Sequence, residues 1–154
     1  MAVERTLLLI KPDGYRRGLV GEVIKRLESK GLVLIGLKLV ILQKEDAMKL
    51  YDVHRNKSFF DKLVNMICSG PVVASIWEGP CAINVVRKLI GKTFGFEAEG
   101  GTIRGDFSLS KSQNIVHASD SVESFEHEYK IFFRQEEILK VTEKPLFWDE
   151  EDLI

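Results

Sequence analysis

The chain has 154 residues, of which 45% are hydrophobic and 29% charged, and its formal net charge is -1. This length and composition predict one globular domain, residues 1–154, that buries a core of its own without needing disulfides. A charge so close to zero excludes a general attraction to nucleic acid or to acidic membranes, so any basic site must be local.

Cysteine usage and hydropathy indicate the cellular compartment of the protein. Cys68 and Cys81 are the two cysteines, and their spacing suggests neither a disulfide framework nor a structural zinc site. The longest apolar stretch, residues 32–42, is interrupted by Gly36 and Lys38 and is too short to span a bilayer. The N-terminus lacks the basic region of a targeting signal. We therefore expect a cytoplasmic protein with no membrane association.

The first part of the chain predicts two strands with a helix between them. Residues 6–10 form an apolar run typical of a short buried strand, and the turn signal "KPDG" at 11–14 closes it. Apolar residues at i, i+3, i+4 and i+7 predict a helix over 20–27, with Gly31 as its C-terminal residue. Residues 32–42 predict the second strand.

The middle of the chain predicts two helices and a third strand. Helical spacing of apolar residues appears over 47–54 and again over 60–67. The pair Gly70 and Pro71 cannot continue a helix, and residues 72–77 predict the third strand.

The following segment contains one helix, one irregular region and one strand. The helical pattern over 82–89 stops at Gly91. Residues 91–106 contain five glycines and no convincing period, which predicts a long loop that is functional or disordered. Residues 114–118 predict the fourth strand.

A final helix is indicated over 122–133, where Asp120 and Glu123 resemble a capping pair, so we expect Asp120 to cap this helix. The order of elements predicts two split β-α-β halves that form one antiparallel sheet with helices on a face. The acidic tail, 144–154, gives no clear pattern.

The segment "NIVHASDS", residues 114–121, places His117 at the end of a predicted strand and just before a helix. A lone histidine there is more often a hydrogen-bonded core group than a catalyst. Ala118, however, leaves room beside the ring, and the N–H groups at the start of the next helix favour a bound anion. Neutral imidazole is nucleophilic, so His117 is a candidate acceptor of a phosphoryl group.

Phosphoryl transfer also needs cations around the phosphate oxygens. Lys11, Arg87 and Arg104 are candidates because each lies at the end of an element or in a loop, where binding residues concentrate. Taken singly, each of them is most often a solvated surface charge.

Two common nucleotide-binding motifs are excluded. "GKT" at 91–93 resembles the end of a phosphate-binding loop, but Val86 stands where that motif needs glycine. No G-x-G-x-x-G is present either, so neither a dinucleotide-binding fold nor a protein-kinase fold is indicated.

Four segments, in order along the chain, resemble the nucleoside diphosphate kinase family: "ERTLLLIKPDGYRRGLVGEVIKRLESKG", "SGPVVASIWEG", "GTIRGDF" and "NIVHASDSVESFEHE". The resemblance covers residues 3–135. It implies a ferredoxin-like sandwich of the α/β (α+β) class, a four-stranded antiparallel sheet with helices packed on it. It also implies transfer of the γ-phosphate of a nucleoside triphosphate to a nucleoside diphosphate, in a ping-pong reaction through a phosphohistidine. Mg²⁺ would be carried by the nucleotide phosphates, with no direct metal ligand from the chain.

The same resemblance implies roles for individual residues. His117 matches the phosphorylated histidine, Tyr51 a tyrosine near the transferred phosphate, and Ser119 and Glu128 the residues beside the histidine. The matches to nucleotide-binding residues are Lys11, Arg87, Thr93 and Arg104 for the phosphates, Asn114 for the ribose and Phe59 for stacking on the base. Without the family, Tyr51 and Phe59 would be interpreted as core aromatics and Glu128 as a surface charge.

Several positions depart from the family pattern. Lys57-Ser58 and Phe94-Gly95 stand where a proline dipeptide is usual, and Gly100 where a proline commonly precedes the glycine. Lys111 occupies a position near the base that is often apolar in the family. The family also implies a homo-oligomer, with a hexamer favoured and a tetramer possible.

Two other functions fit a ferredoxin-like fold. A non-catalytic module that binds a small ligand or RNA is one, although RNA binding predicts exposed aromatics and a basic face, while these strands carry mainly Leu, Val and Ile. A phosphatase is the other, since it would share the phosphate-binding arginines but release phosphate to water.

Overall fold

The computed structural model describes residues 3–140 and 148–149. Its sheet has four strands in the order β2-β3-β1-β4, and every neighbouring pair is antiparallel. The strands are β1 (Val3–Ile10), β2 (Val33–Val40), β3 (Val72–Pro80) and β4 (Val116–Ala118). This is the ferredoxin-like α/β sandwich that the sequence predicts.

Helices connect the strands and cover the sheet. The longer ones are α2 (Val20–Lys30), α3 (Lys44–Leu50), α4 (Phe60–Ile67), α5 (Ala82–Ile90) and α7 (Val122–Phe132). Two five-residue helices, α1 (Pro12–Arg16) and α6 (Ile103–Phe107), and short 3₁₀ turns at Asp52–His54, Gly95–Glu97 and Gln135–Glu137 complete the described elements.

Strand β1 lies between two hydrophobic cores. Leu7 and Leu9 pack in the core formed with α3, α4 and α7, whereas Leu8 and Ile10 pack in the core formed with α2 and α5. Side chains of a strand alternate between the two faces of its sheet, so a strand buried on both faces requires a continuous apolar run. The expectation of helices on one face of the sheet is therefore wrong, since both faces are covered.

The structure corrects the local predictions near the candidate site. The turn at 11–14 belongs to α1, and the region predicted as a loop, 91–106, contains a 3₁₀ turn and most of α6. These elements are too short to show a hydrophobic period. The fourth strand is confined to 116–118 instead of 114–118.

The cap of α7 is also corrected. Ser121, not Asp120, is the N-cap residue, and its hydroxyl accepts a hydrogen bond from the Ser124 backbone N–H. Asp120 instead accepts a hydrogen bond at 2.5 Å from the Ser124 hydroxyl. Both residue types are good N-caps, so the sequence alone does not separate adjacent candidates.

The acidic tail, 144–154, lies outside the described residues apart from Trp148 and Asp149. The indole of Trp148 is buried and donates a hydrogen bond to the Gly31 carbonyl, 2.7 Å away, at the end of α2. No helix in the described part of the chain is long and apolar enough to cross a membrane.

Candidate active site

The pairing of β1 with β4 brings the candidate residues together. Leu9 is opposite His117 and Ile10 is opposite Val116 in the antiparallel register. Lys11 directly follows β1, and Asn114 comes just before β4, so these two residues meet at the same end of the sheet. Because paired residues share a face, His117 projects toward the same layer as Leu9, the layer that contains α7.

His117 is held by Glu128 of α7. Nε2 of His117 lies 2.8 Å from Oε1 of Glu128, and the imidazole is only partly exposed. A carboxylate can only accept, so Nε2 carries the proton and Nδ1 keeps a lone pair. The hydroxyl of buried Ser119 donates to the same Glu128 oxygen at 3.1 Å. Glu128 is buried, contrary to its interpretation as a surface charge when the family is disregarded.

Tyr51 closes the other side of the imidazole. Its ring meets that of His117 edge-on, with the centroids 6.0 Å apart. Burial and the nearby Glu128 carboxylate raise the pKa of the Tyr51 phenol, so it stays neutral at physiological pH. The phenol can therefore donate a hydrogen bond to an anion next to His117.

Lys11 is a buried cation at the end of β1. Its ammonium donates to Oδ1 of Asn114 at 2.5 Å and to the Ser112 carbonyl at 2.9 Å. Burial lowers the pKa of Lys11 to about 8, with Asp13 opposing and Arg104 adding to that shift. At neutral pH the side chain is thus mostly charged, although little of that charge is solvated.

Arg104 of α6 joins three segments around the site. Its guanidinium donates to the carbonyls of Asn114 at 3.2 Å, Gly91 at 3.1 Å and Val116 at 2.8 Å. Burial lowers the pKa of Arg104 to about 10, which leaves it protonated. Three of its five N–H groups bind the protein within residues 3–140, so as far as this part of the chain is concerned two remain for a ligand.

Arg87 and Thr93 stand on the α5 side of the sheet end. Arg87, in the last turn of α5, donates to the Ala118 carbonyl at 3.4 Å. Thr93 is exposed, and its carbonyl accepts a hydrogen bond at 2.9 Å from the Asn114 amide. Asn114 therefore connects Thr93 to Lys11 through opposite ends of one buried side chain.

The two aromatic candidates occupy different environments. Tyr51 is 6% exposed and belongs to the core, whereas Phe59 is 44% exposed immediately before α4, with its ring against His54. Phe59 thus has a face free for stacking, contrary to its interpretation as a core residue. Lys111, expected near a base, holds its ammonium 4.8 Å from the centroid of the Phe94 ring.

Sequence reasoning missed Asp13 and Ile115. The sequence indicates Asp13 only as part of a turn, yet its Oδ2 accepts a hydrogen bond at 2.9 Å from the Ile115 backbone N–H. Ile115 has φ of 74°, a conformation that a β-branched residue rarely adopts and that costs about 1–3 kcal/mol. An acidic residue just after a buried strand was the only available signal for Asp13.

A cavity of about 250 Å³ opens beside Lys11 and Tyr51, between α4 and the segment that precedes β4. Charged, polar and apolar residues line it, among them Asp13, Leu63, Met66, Ser112 and Gln113. Lys11 is the buried cation that lines the cavity, so a polyanionic ligand can reach its ammonium from there.

A histidine with a free ring nitrogen, beside buried cations on a ferredoxin-like fold, defines the class as a phosphotransferase. Comparisons with known proteins show which family of phosphotransferases it is. The sequence profile described as nucleoside diphosphate kinase matches residues 4–138. The nucleoside diphosphate kinase of Hyperthermus butylicus is 58% identical over 139 residues, covering 90% of this chain and 98% of that protein. That of Staphylothermus marinus is 57% identical, covering 90% and 99%.

Solved structures agree. The nucleoside diphosphate kinase of Halobacterium salinarum in complex with CDP superposes with a TM-score of 0.87 at 41% identity, covering 96% of this chain and 94% of that one. A transition-state mimic of the Borrelia burgdorferi enzyme with bound vanadate and ADP has a TM-score of 0.87 at 35% identity, covering 93% and 94%. The chain belongs to the nucleoside diphosphate kinase family, and it is a nucleotide-binding phosphotransferase.

Proposed function

We propose that this kinase transfers the γ-phosphate of a nucleoside triphosphate to a nucleoside diphosphate in two half-reactions, with His117 as the phosphate carrier. The observation that carries the proposal is the hydrogen bond from His117 Nε2 to Glu128, because it leaves Nδ1 unprotonated beside Tyr51. The same arrangement orients the ring before the substrate arrives.

In the first half-reaction, the Nδ1 lone pair attacks the γ-phosphorus. An N–P bond forms, the bond to the β,γ-bridging oxygen breaks, and the nucleoside diphosphate leaves with that electron pair. Glu128 stabilises the positive charge that develops on the ring, and Ser119 holds Glu128 in place. In the second half-reaction, a terminal oxygen of the acceptor diphosphate attacks the phosphorus, and Nδ1 recovers its lone pair.

Cations and hydroxyls hold the transferred group. We assign Lys11 and Arg104 to the phosphate oxygens because both are buried cations that retain unused N–H groups. Arg87, Thr93 and Tyr51 lie along β4 and the residue pair before it, in contact with Ala118, Asn114 and His117 respectively, and complete the set. Fixed charges in a partly dry site stabilise the charge that spreads over the phosphate in the transition state.

The nucleoside is assigned to two further residues. Asn114 lies next to Lys11, within reach of a ribose hydroxyl when phosphates occupy the cationic site. Phe59, exposed before α4, provides a stacking face for the base. ATP and the other common nucleoside triphosphates are the proposed donors, and no nucleic acid is required.

The chemistry of the site fits Mg²⁺ that enters on the nucleotide. The charged side chains assigned to the phosphate oxygens, Lys11, Arg87 and Arg104, are cationic, and the described residues contain no group of three or more His, Cys, Asp or Glu side chains able to hold an ion. Mg²⁺ is often held by substrate phosphates with few protein ligands. When bound, it would neutralise negative charge on the phosphates.

The test is labelling with γ-labelled ATP, quenched in alkali. The parent protein is expected to carry acid-labile, base-stable label at His117, and His117→Ala none. Label should then move to added nucleoside diphosphate as triphosphate. Stoichiometric label on His117→Ala would overturn the carrier assignment, and release of inorganic phosphate without triphosphate formation would identify a phosphatase.

We further propose a homo-oligomer, with a hexamer favoured and a tetramer possible. β2 is an edge strand; Leu37 and Leu39 on it are 51% and 60% exposed, and Ile41, directly after it, is 65% exposed. An exposed apolar edge strand is normally covered by a partner. Light scattering coupled to size exclusion should give six or four times the chain mass, and a monomer would contradict this assembly.

The whole chain, 1–154, is proposed to act as a single domain in the cytoplasm. The continuous sheet with a core on each face supports the single domain, and the cysteine pattern supports a reducing compartment.

A further inference from the structure

Ile115 forms an unusual turn between two residues of the site. Its φ is 74°, and the Val116 N–H donates across it to the Asn114 carbonyl at 2.8 Å, which closes a three-residue turn. Such γ-turns with positive φ are rare and strained, and they persist only where surrounding contacts hold them. Because Asn114 precedes this turn and His117 follows shortly after it, the geometry of the turn fixes the relative position of both.

The segment after β1 supplies those contacts. The Lys11 backbone N–H donates to the Ile115 carbonyl at 2.8 Å, and Oδ2 of Asp13 accepts from the Ile115 N–H at 2.9 Å. The close approach requires Gly14, since a Cβ there would lie 2.9 Å from the Ile115 side chain. Both polar backbone groups of Ile115 are therefore bound, one of them by a carboxylate.

Asp13 is also the acidic group among the buried cations. From α1, its negative charge raises the pKa values of Lys11, Arg104 and Tyr51. Arg104, on α6, lowers the pKa values of Lys11 and Tyr51. The carboxylate opposes the fall in the pKa of Lys11 that burial causes, and Arg104 adds to that fall. Tyr51 is neutral, so Asp13 and Arg104 are the charged groups that act on Lys11.

We propose that Asp13 is a positioning residue of the phosphotransfer site, whose carboxylate fixes the Ile115 turn and whose charge balances the buried cations Lys11 and Arg104. This inference rests on the proposed roles of His117 and Lys11. It assigns Asp13 two separable contributions, because an asparagine can keep the hydrogen bond but not the charge.

Two substitutions separate the contributions. Asp13→Asn retains an acceptor for the Ile115 N–H, so transfer at pH 6.5, where Lys11 is charged, should stay within about threefold of the parent. Without the negative charge, Lys11 loses its proton at lower pH, and the alkaline limb of single-turnover labelling at ATP concentrations far below saturation should move down by about 1 pH unit. Asp13→Ala should show that shift and, in addition, lose about tenfold or more at pH 6.5.

Asp46→Asn is the matched control, since Asp46 is a half-buried acid in the first turn of α3 that pairs with exposed Lys49. It should leave both the rate and the pH profile unchanged. An unshifted alkaline limb in Asp13→Asn, with the parent labelled on His117, would overturn the inference about Asp13 alone. Label that persists in His117→Ala would instead overturn the proposed function. If Asp13→Ala does not fold, the pH profile of Asp13→Asn alone tests the inference about Asp13.

Discussion

One carboxylate oxygen of Glu128, Oε1, accepts two hydrogen bonds: one from Nε2 of His117 at 2.8 Å and one from the Ser119 hydroxyl at 3.1 Å. The Ser119 hydrogen bond restrains the carboxylate, and the carboxylate restrains the ring. The proton position of His117 thus depends on a group that is itself held in the core.

Glu128→Gln should reduce the rate of His117 phosphorylation by about 10²-fold or more. The glutamine amide can donate to Nε2, which would move the ring proton to Nδ1 and block the nucleophile. Rapid-quench labelling measures this step. Glu126→Gln, at an exposed position on the same helix, is the control and should match the parent. Equal rates for both variants would show that Glu128 does not set the tautomer.

Transfer should fall as pH rises through the pKa of Lys11, which burial lowers to about 8. The cation is the active form, so activity is retained below pH 8 and lost above it. Between this value and the ordinary 10.5, the unfolded chain binds more protons than the folded one, so the contribution of Lys11 to stability rises with pH. As pH rises, activity therefore falls while the contribution of Lys11 to stability increases.

Lys11→Arg provides the matching variant for this prediction. An arginine remains charged, so any activity it retains should extend to higher pH than that of the parent. The measurement is the pH profile of single-turnover labelling at ATP concentrations far below saturation, because that profile reports the ionisation of the ligand-free protein. An alkaline limb at the same pH in the parent and in Lys11→Arg would mean that another group titrates.

Arg104→Ala should both slow transfer by at least about two orders of magnitude and lower stability. The reason for the second effect is structural, because the substitution removes three hydrogen bonds from the guanidinium to the backbone carbonyls of Gly91, Asn114 and Val116. Thermal unfolding and labelling should be measured together, and a variant with parent-like values in both would contradict this role.

Trp148→Ala should lower the free energy of unfolding by about 3 kcal/mol without changing the transfer rate. The indole is buried against Gly79 and donates to the Gly31 carbonyl at the end of α2. Gly79 is opposite Glu4 at the start of β1, whereas the site is at its other end. Trp148→Phe, which keeps an aromatic ring but lacks the N–H, should lose about 1 kcal/mol. Denaturant titration of both variants tests this.

The sequence predicts the sheet well where local pattern and tertiary structure agree. β1 is a continuous apolar run because Leu8 and Leu9 face different cores, and that run is visible without coordinates. α6 spans only five residues, so no hydrophobic period could identify it. The fourth strand is too long in the prediction because Ile115, a strong strand former, adopts a positive φ.

The site is predictable only in part, because some of its contacts join residues that are far apart in the sequence. His117 and the cations can be found from their positions at element ends. The role of Asp13, however, depends on a hydrogen bond to a residue about a hundred positions away, and nothing local indicates it. The family resemblance is what assigns Phe59 and Tyr51 to the site, since Tyr51 lies on one apolar helical pattern and Phe59 precedes another.

Finally, we predict broad base tolerance, with ATP, GTP, CTP and UTP all acting as donors and deoxy forms accepted. Phe59 offers an exposed face, and stacking is tolerant because every base has a π-face, contributing about 1–3 kcal/mol in comparable sites. Lys111 is the residue most able to introduce selectivity, because an ammonium can donate to O6 and N7 of guanine. In the structure, its ammonium lies over the Phe94 ring instead and is attracted to it. A contact between Lys111 and a base would have to replace this cation–π interaction.

The test compares the four triphosphates at equal concentration in single-turnover labelling of His117, for the parent and for Lys111→Val. We expect all four to label, with purines ahead of pyrimidines through their larger stacking area. Lys111→Val should change the order little, because the Phe94 contact already engages the ammonium. A preference above about a hundredfold for one base corresponds to about 2.7 kcal/mol, more than differences in stacking area provide. If Lys111→Val abolished such a preference, Lys111 would read the base edge and the tolerant site would be refuted.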